Sequence, residues 1–253
     1  MTNSTMQRKL FKKILFGALI FAFWISVWYL LALLIGEEYF LPTPHSAVIK
    51  LFKMMGTKIF YKVVLYSFLR VFFGVILGIL CGSALAYVSH VFDPFRKIIT
   101  PVISIIKATP VVTFITLLWI LVSGNVLTVF IGFLMVMPIV WQNLLDGYDA
   151  IPMELSEVCD VFQFSKFNRF KILVFPILMR YLLPAVITSI GLAWKAEIAA
   201  EIIAYTKVSI GQHIYDARYH LLTDEVFAWV IVIVTFSITL EFLTKFALRR
   251  LKK

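Results

Sequence analysis

The sequence predicts an all-α integral membrane protein with six transmembrane helices. Of its 253 residues, 61% are hydrophobic and only 15% are charged, and its mean hydropathy is +0.94. Soluble domains carry about 45–50% apolar and about 25% charged residues, whereas a transmembrane helix needs about 20 mostly apolar residues. The chain therefore has room for about six spans with short loops, and we expect a single transmembrane domain over residues 1–253.

The first two spans are predicted at residues 14–36 and 64–90. The uncharged run Ile14–Ile35 is longer than the apolar part of a signal peptide, and no small-residue cleavage site follows it, so we interpret it as an uncleaved span. The second span carries three glycines on one helical face: Gly74, Gly78 and Gly82. Small residues at this spacing let membrane helices approach closely, which predicts a helix-packing face.

The third and fourth spans are predicted as a hairpin at residues 98–122, interrupted by Lys107 and Pro110, and residues 126–145. The uncharged run Ala108–Leu145 contains 38 residues, which is too long for one helix across about 30 Å of hydrocarbon. Ser-Gly-Asn at positions 123–125 is a turn signal between the two spans.

The last two spans are predicted at residues 177–205 and 226–246. A more polar loop at residues 146–176 precedes the fifth span. Pro176 and Pro184 lack the backbone N–H that a helix interior requires, so we expect them to kink or delay the start of this span.

The distribution of basic residues predicts that both chain ends are cytoplasmic. With that orientation the inside segments hold 14 of the 24 Lys and Arg residues and the outside segments hold six, in keeping with the positive-inside rule. The 146–176 loop is then cytoplasmic, and the protein is a multi-pass protein of the cell (plasma or inner) membrane. Segment 37–62 places four lysines outside, and its apolar residues recur at helical spacing, so we predict an amphipathic helix at the outer interface.

Several function classes are not supported by the sequence. The net charge of +10 is explained by the basic tails and membrane-flanking residues, so no nucleic-acid partner is expected. Cys81 and Cys159 do not have disulfide or metal-ligand spacing, and His213 and His220 have no third ligand nearby. The sequence contains no GxxxxGK[ST], HExxH or GxSxG motif. We therefore expect no metal site, no catalytic site and no cofactor bound by this chain.

The cytoplasmic loop contains a predicted short helix with one apolar face. Pro152 suits the first turn of a helix, and Glu154 and Glu157 lie toward its positive end. The apolar residues recur at intervals of three or four positions: Leu155, Val158, Cys159 and Phe162. An apolar face outside the bilayer needs a cover, which is either the protein's own membrane bundle or a partner protein.

Residues 157–176 resemble the EAA loop of ABC-importer permeases. Glu157-Val158-Cys159 stands at Glu-Ala-Ala, and Leu173, Phe175 and Pro176 stand at Ile-x-Leu-Pro. The usual glycine is replaced by Gln163, for which a turn with positive φ is costlier. In that family the loop binds a separate ATPase subunit. The resemblance implies that the ATPase-coupling residues are Glu154, Leu155, Glu157, Val158, Cys159, Phe162 and Gln163.

Motifs along most of the chain resemble the nitrate/sulfonate/taurine group of these permeases. The matching segments are Leu41-Pro42-Thr43-Pro44, Ser67-Phe68-Leu69-Arg70-Val71 followed by the three glycines, Gly191-Leu192-Ala193-Trp194, Ala199-Ala200-Glu201, Ile210-Gly211 through Ala217-Arg218, and Thr223-Asp224 to Phe227-Ala228. The third span departs from the group, because Ile-Lys-Ala-Thr-Pro ending at Pro110 stands where Leu-Arg-x-Ile-Pro is usual. The resemblance implies the type I ABC-importer permease fold.

Ionisable side chains inside predicted spans are candidates for the transport pathway or its gate. Glu197 and Glu201 lie four residues apart on one helical face and need a cation or a ligand donor nearby, and Arg70 is the partner we expect for Glu201. A structural ion pair and a contact with the substrate or gate are both open interpretations. The pathway or gate candidates are Arg70, Lys107, Thr109, Trp194, Lys195, Glu197 and Glu201.

The resemblance implies a membrane-spanning subunit of an ATP-driven importer without an ATPase site of its own. The expected solute is small and polar, such as a nitrate-, sulfonate- or taurine-like anion or a heteroaromatic vitamin precursor. The implied partners are two ATPase subunits that bind ATP-Mg, a second permease copy and an external solute-binding protein. An ion-coupled secondary transporter is the alternative, although no inverted repeat is seen, and an intramembrane enzyme would need a catalytic cluster that the sequence lacks.

Overall fold

The computed structural model describes the backbone of residues 3–251 and the side chains of residues 12, 15–244 and 246. Within these residues every regular element is a helix. Most of the basic side chains in the two tails, which weigh heavily in the predicted orientation, lie outside the described side chains: Arg8, Lys9, Lys13, Lys245, Arg249, Arg250, Lys252 and Lys253. The predicted all-α class is confirmed, and the orientation stays a prediction.

Eleven α-helices and one π-helical turn follow one another along the described part of the chain. They are α1 (Asn3–Ile35), α2 (Pro44–Met55), α3 (Lys58–Val91), α4 (Asp93–Ala108), α5 (Val111–Trp119), α6 (Gly124–Asp149), α7 (Met153–Val161), α8 (Lys166–Arg169), the π-turn (Phe170–Val174), α9 (Phe175–Ile203), α10 (Ile210–Tyr219) and α11 (Thr223–Leu251). The amphipathic helix predicted within residues 37–62 is α2.

Five described helical segments are long and apolar enough to cross a membrane: Leu15–Ile35, Lys58–Val91, Gly124–Asp149, Lys166–Ile203 and Thr223–Thr244. A sixth span is obtained if α4 and α5, which meet at an angle of 97°, count as one broken span. The interruption predicted at Pro110 within the span 98–122 is therefore confirmed, between α4 and α5. The break follows from Pro110, because a residue before proline disfavours the helical conformation, and Thr109 is extended with φ −81° and ψ 129°.

The fifth predicted span differs from the structure in where it begins. Helical backbone is continuous from Lys166 to Ile203, with the π-turn just before Pro176. Pro176 has no N–H to donate to the carbonyl four residues earlier. The turn widens at this point, and the N–H of Phe175 donates to the carbonyl of Phe170. Pro176 thus changes the helix type without delaying the helix, and Pro184 lies inside α9.

One compact unit comprises Met1–Phe60 and Ile214–Val232. In this unit the Thr43 side chain accepts a hydrogen bond from the N–H of Ser46 and caps α2. The ammonium group of Lys50 on α2 lies 3.1 Å from a carboxylate oxygen of Glu225. One of the four lysines in the predicted outer segment is therefore neutralised by an acidic partner.

The second unit comprises Tyr61–His213 and Ile233–Lys253, and its main packing is between α6 and α9. The core of this packing includes Leu127 and Ile131 from α6 and Ala200 from α9. The glycine face of α3 packs on α6. A Cβ added at Gly78 would lie 2.5 Å from Cβ of Val136, so only glycine fits there. The predicted role of these glycines in helix packing is confirmed.

Candidate functional site

The first candidate site is the connection between α6 and α9, residues 150–174, which contains the predicted short helix. This helix is α7. Pro152 precedes it with φ −63° and ψ 133°, and Glu154 lies in its first turn, where a carboxylate interacts favourably with the helix dipole. Glu154 and Glu157 are both exposed, so their charges are available to a partner.

The predicted apolar face of α7 is covered only in part. Cys159 is 6% exposed, whereas Val158 is 47% and Phe162 is 69% exposed. Leu155 is also exposed, although it borders a cavity that Leu173 and other residues of the chain line. Packing on the chain itself therefore accounts for Cys159, and much of the apolar face is left uncovered.

Helix α7 ends in a left-handed turn at Gln163. The φ of Gln163 is 52°. The N–H of Gln163 donates to the carbonyl of Asp160 over 3.1 Å, and the N–H of Phe164 donates to the carbonyl of Cys159 over 2.9 Å. These two bonds form a Schellman motif, which usually has glycine at the left-handed position. The turn that a glycine would favour is therefore present, at the backbone cost that a non-glycine residue carries there.

Arg169 joins α8 to α7. Its guanidinium donates to the Asp160 carboxylate over 2.7 Å and to the Ser156 hydroxyl. Two donors to two residues on one helix fix the relative position of the segments before and after the turn. This contact was not predicted, because it depends on the turn reversing the chain between Asp160 and Arg169. Opposite charges on either side of a predicted turn are the signal that indicates such a contact.

The second candidate site is a buried polar cluster around Arg70 of α3. One guanidinium nitrogen of Arg70 lies 3.0 Å from Glu201 Oε1 of α9. The other donates to Asn125 Oδ1 over 2.9 Å and to the carbonyl of Lys207 over 3.0 Å, and both also reach the carbonyl of Val208. The predicted ion pair of Arg70 and Glu201 is present, and Arg70 also holds the loop after α9.

The second oxygen of Glu201 completes this cluster. Glu201 Oε2 accepts hydrogen bonds from the Ser67 hydroxyl over 2.9 Å and from the N–H of Gly211 over 3.1 Å. The oxygen of Ser67 accepts in turn from the N–H of Ile210 over 3.0 Å. Both charges are thus compensated, and the cluster ties α3, α6 and α9 to the start of α10. Sequence reasoning missed Ser67 and Asn125, because a hydroxyl or amide in an apolar run does not indicate its partner.

Glu197 lies one helical turn before Glu201, but its environment is different. Its side chain is fully buried, and neither carboxyl oxygen has a hydrogen-bond partner among the described residues. A Cβ added at Gly132 of α6 would lie 3.0 Å from Glu197 Oε2 and 3.5 Å from Cα of Gly74. The carboxyl group of Glu197 therefore packs beside the close approach of α3 and α6.

The remaining pathway candidates are not brought together with Arg70. Trp194 is fully buried, donates its indole N–H to the carbonyl of Ile233 over 3.2 Å, and stacks on Phe236 at 5.4 Å. Lys195 is exposed on α9, and Lys107 is exposed at the end of α4. Thr109 lies at the break after α4 with its hydroxyl bonded to the carbonyl of Ile105. The exposed candidates are thus two lysines, and the candidate carboxylates are buried.

Comparison with known proteins gives a consistent picture. Residues 74–253 match the family described as binding-protein-dependent transport system inner membrane component. The taurine transport system permease protein TauC of Escherichia coli K12 is 23% identical over 90% of this chain and 85% of its own length. The nitrate import permease protein NrtB of Synechococcus elongatus is 23% identical over 76% of this chain and 72% of its own.

A solved structure shows the same fold. The crystal structure of an amino acid ABC transporter with histidines has a TM-score of 0.61, with 16% sequence identity, and the match covers 76% of this chain and 93% of that one. The predicted resemblance to the nitrate/sulfonate/taurine group is confirmed by the family match and the permeases above. The chain belongs to the family of binding-protein-dependent transport system inner membrane components, the permease subunits of ABC importers.

Proposed function

We propose that this chain forms the membrane pathway of an ATP-driven importer, in which separate ATPase subunits drive alternating access. The observation that carries the proposal is the uncovered part of the apolar face of α7, at Val158 and Phe162. A short exposed helix with such a face is suited to a groove on a partner protein. Because the sequence has no P-loop, ATP and Mg²⁺ bind to the partner subunits.

The connection between α6 and α9 is built to transmit movement. Arg169 holds α7 against α8 through Asp160 and Ser156, and α8 continues without a break into α9. A displacement of α7 by closure of the ATPase dimer therefore moves α9, and the closed dimer favours the state of the permease that fits it best. Two copies of the chain form the pathway, an external binding protein delivers the solute, and no bond in the solute changes.

The solute that we propose is a small anion. Lys107 and Lys195 are exposed, whereas Glu197 and Glu201 are fully buried and Arg70 is paired with Glu201. The charge that these residues offer to a passing solute is thus positive, which attracts anions. The names of the taurine and nitrate permeases support this class.

Capture of the ATPase subunit tests the coupling. We expect Val158→Asp to abolish co-purification of an ATPase subunit with the tagged permease from native membranes, because a charge on the uncovered face opposes burial in a groove. The matched control is Val48→Asp on α2, where the valine is 41% exposed compared with 47% for Val158; it should retain the ATPase. The proposal is wrong if the wild-type permease brings down no ATPase or if both variants retain it.

Transport by the reconstituted complex tests the energy source and the solute. We expect ATP-dependent uptake of one of four labelled solutes that carry an anionic group (nitrate, bicarbonate, taurine or an aliphatic sulfonate) in the presence of its binding protein, with Lys195→Gln several-fold slower than Arg180→Gln. Uptake that follows an ion gradient and needs no ATP would support a secondary transporter. Uptake of an uncharged heteroaromatic compound alone would overturn the anion assignment.

A further inference from the structure

The segment that leads into α9 carries a distinct outward surface. It consists of Lys166, Phe167, Phe170, Lys171 and Phe175, all exposed, and we refer to it as the lysine–phenylalanine face. Phe167, Lys171 and Phe175 follow one another at intervals of four residues. Phe167 is 72% exposed, and the rings of Phe170 and Phe175 lie 6.0 Å apart.

The opposite side of the same segment is directed into the protein. Leu173 is buried, and the guanidinium of Arg169 donates hydrogen bonds to Asp160 and Ser156 of α7. The segment is therefore two-sided: its inner side holds α7, and the described residues leave its outer side largely exposed at Phe167 (72%) and about half exposed at Phe170 and Phe175 (47% and 46%).

The length of the helix places this outer side near a membrane surface. The continuous helical run Lys166–Ile203 has 38 residues, which is about 57 Å at 1.5 Å per residue. The hydrocarbon core is only about 30 Å thick. The basic residues of the run are concentrated in its first half, at Lys166, Arg169, Lys171 and Arg180. The first turns, which carry most of these charges, therefore extend beyond the hydrocarbon into the headgroup layer.

The charge of the face also indicates what covers it. Lys166 and Lys171 form no ion pair with a described residue, whereas Arg169 between them is paired with Asp160. Phenylalanine rings and lysine stems insert at the acyl boundary, while ammonium groups reach the headgroups. The cytoplasmic leaflet carries anionic lipids that attract such lysines.

We propose that the lysine–phenylalanine face binds anionic phospholipid headgroups of the cytoplasmic leaflet. This contact fixes the height of α7 relative to the membrane, because Arg169 joins the inner side of the same segment to α7. Lipid binding by this face rests on the proposed cytoplasmic location of the connection between α6 and α9. It adds a lipid requirement to the coupling of the importer.

Lipid binding by the purified permease tests this proposal without requiring ATPase or transport activity. The quantity to measure is the dissociation constant of phosphatidylglycerol for the detergent-solubilised full chain, by native mass spectrometry, with phosphatidylcholine as the neutral lipid. Replacing both lysines in Lys166→Gln/Lys171→Gln should weaken phosphatidylglycerol binding by about 25-fold, at about fivefold per lysine. Phosphatidylcholine binding should not change.

The matched control is Lys58→Gln/Lys62→Gln, which removes the same charge from exposed lysines on the predicted opposite side of the membrane. It should weaken phosphatidylglycerol binding less than twofold. Equal losses in the two double variants would overturn the proposal, since the effect would then be one of net charge. Unchanged lipid binding combined with lost ATPase co-purification in Lys166→Gln/Lys171→Gln would assign the face to the ATPase subunit instead and would also overturn it.

Discussion

The two ends of the fifth candidate span differ in what covers their side chains. At the C-terminal end, Glu201 is buried, and both of its oxygens are bonded to partners within the chain, including Arg70 and Ser67. At the N-terminal end Phe167 is exposed, and just before the span Phe162, which follows α7, is exposed as well. A satisfied buried cluster holds the chain together by itself, whereas exposed apolar groups indicate surfaces that other molecules cover.

This difference gives two kinds of expected mutation. Changes that remove a bonded partner at the buried end should lower the stability of the isolated permease, since nothing else replaces that partner. Changes at the exposed end should leave stability almost unchanged and act on binding. The four predictions below are ordered from the largest expected effect on stability to the smallest.

The largest effect is expected for Arg70→Met. This change leaves Glu201 as a buried carboxylate without its cation and also removes the donors to Asn125 and two carbonyls. Breaking a buried pair by removing one partner costs about 3–5 kcal/mol. Thermal unfolding in detergent, followed by circular dichroism, should show the loss. Arg180→Met, at an exposed arginine, is the control, and equal melting temperatures would contradict the structural role of Arg70.

A smaller loss is expected for Gly78→Ala. The new methyl group would lie 2.5 Å from Cβ of Val136, and overpacking of this kind costs about 1–3 kcal/mol. Gly191→Ala on α9 is the matched control, because nothing lies within 4 Å of an added Cβ there; it should raise stability by about 0.5–1 kcal/mol. Effects of the same sign in the two variants would contradict the close packing of α3 on α6.

Glu197→Leu is expected to stabilise the protein by about 1–3 kcal/mol. The substitution removes two buried oxygens that have no partner among the described residues, at a similar side-chain volume. Glu201→Leu, one turn away, should instead lower the stability because it removes the carboxylate partner of Arg70. Urea-dependent unfolding of both variants gives the comparison. A lower stability of Glu197→Leu would show that Glu197 has a partner in the membrane.

The smallest effect is expected for Gln163→Gly. Glycine adopts the φ of 52° at this position without the cost that a side chain brings. The free energy needed to open the end of α7 should therefore rise by about 1 kcal/mol or less. Hydrogen exchange of the N–H of Phe164, which bonds to Cys159, should slow by up to about fivefold. The global melting temperature should not change. Faster exchange would contradict the left-handed turn.

The sequence was sufficient for features that rest on composition and on strong penalties. Hydropathy predicted the membrane class because backbone groups in lipid must be bonded within helices. The pairing of Arg70 with Glu201 was predictable because an unpaired charge in a span is costly. The spacing of Gly74, Gly78 and Gly82 predicted a packing face because small residues at this spacing let membrane helices approach closely.

Features that depend on backbone paths between elements were not predictable. Arg70 reaches the carbonyl of Val208, whose φ is 51°, and a β-branched residue rarely adopts such a conformation. Pro110 indicated an interruption of the third span, but neither the 97° angle at the break nor the packing of α5 on α6 and α9 could be predicted from it. Arg169 binds across the turn at Gln163. A glutamine side chain disfavours the left-handed backbone of that turn, so the sequence did not indicate it.

The buried cluster also has a consequence for synthesis of the protein. Arg70 and Glu201 are 131 positions apart in the sequence, so the arginine enters the membrane long before its carboxylate partner has been made. Until α9 is inserted, the nascent chain carries an unneutralised guanidinium in an early span, which is costly in lipid. We expect truncated or stalled chains that end before residue 201 to be retained by the insertion machinery or degraded.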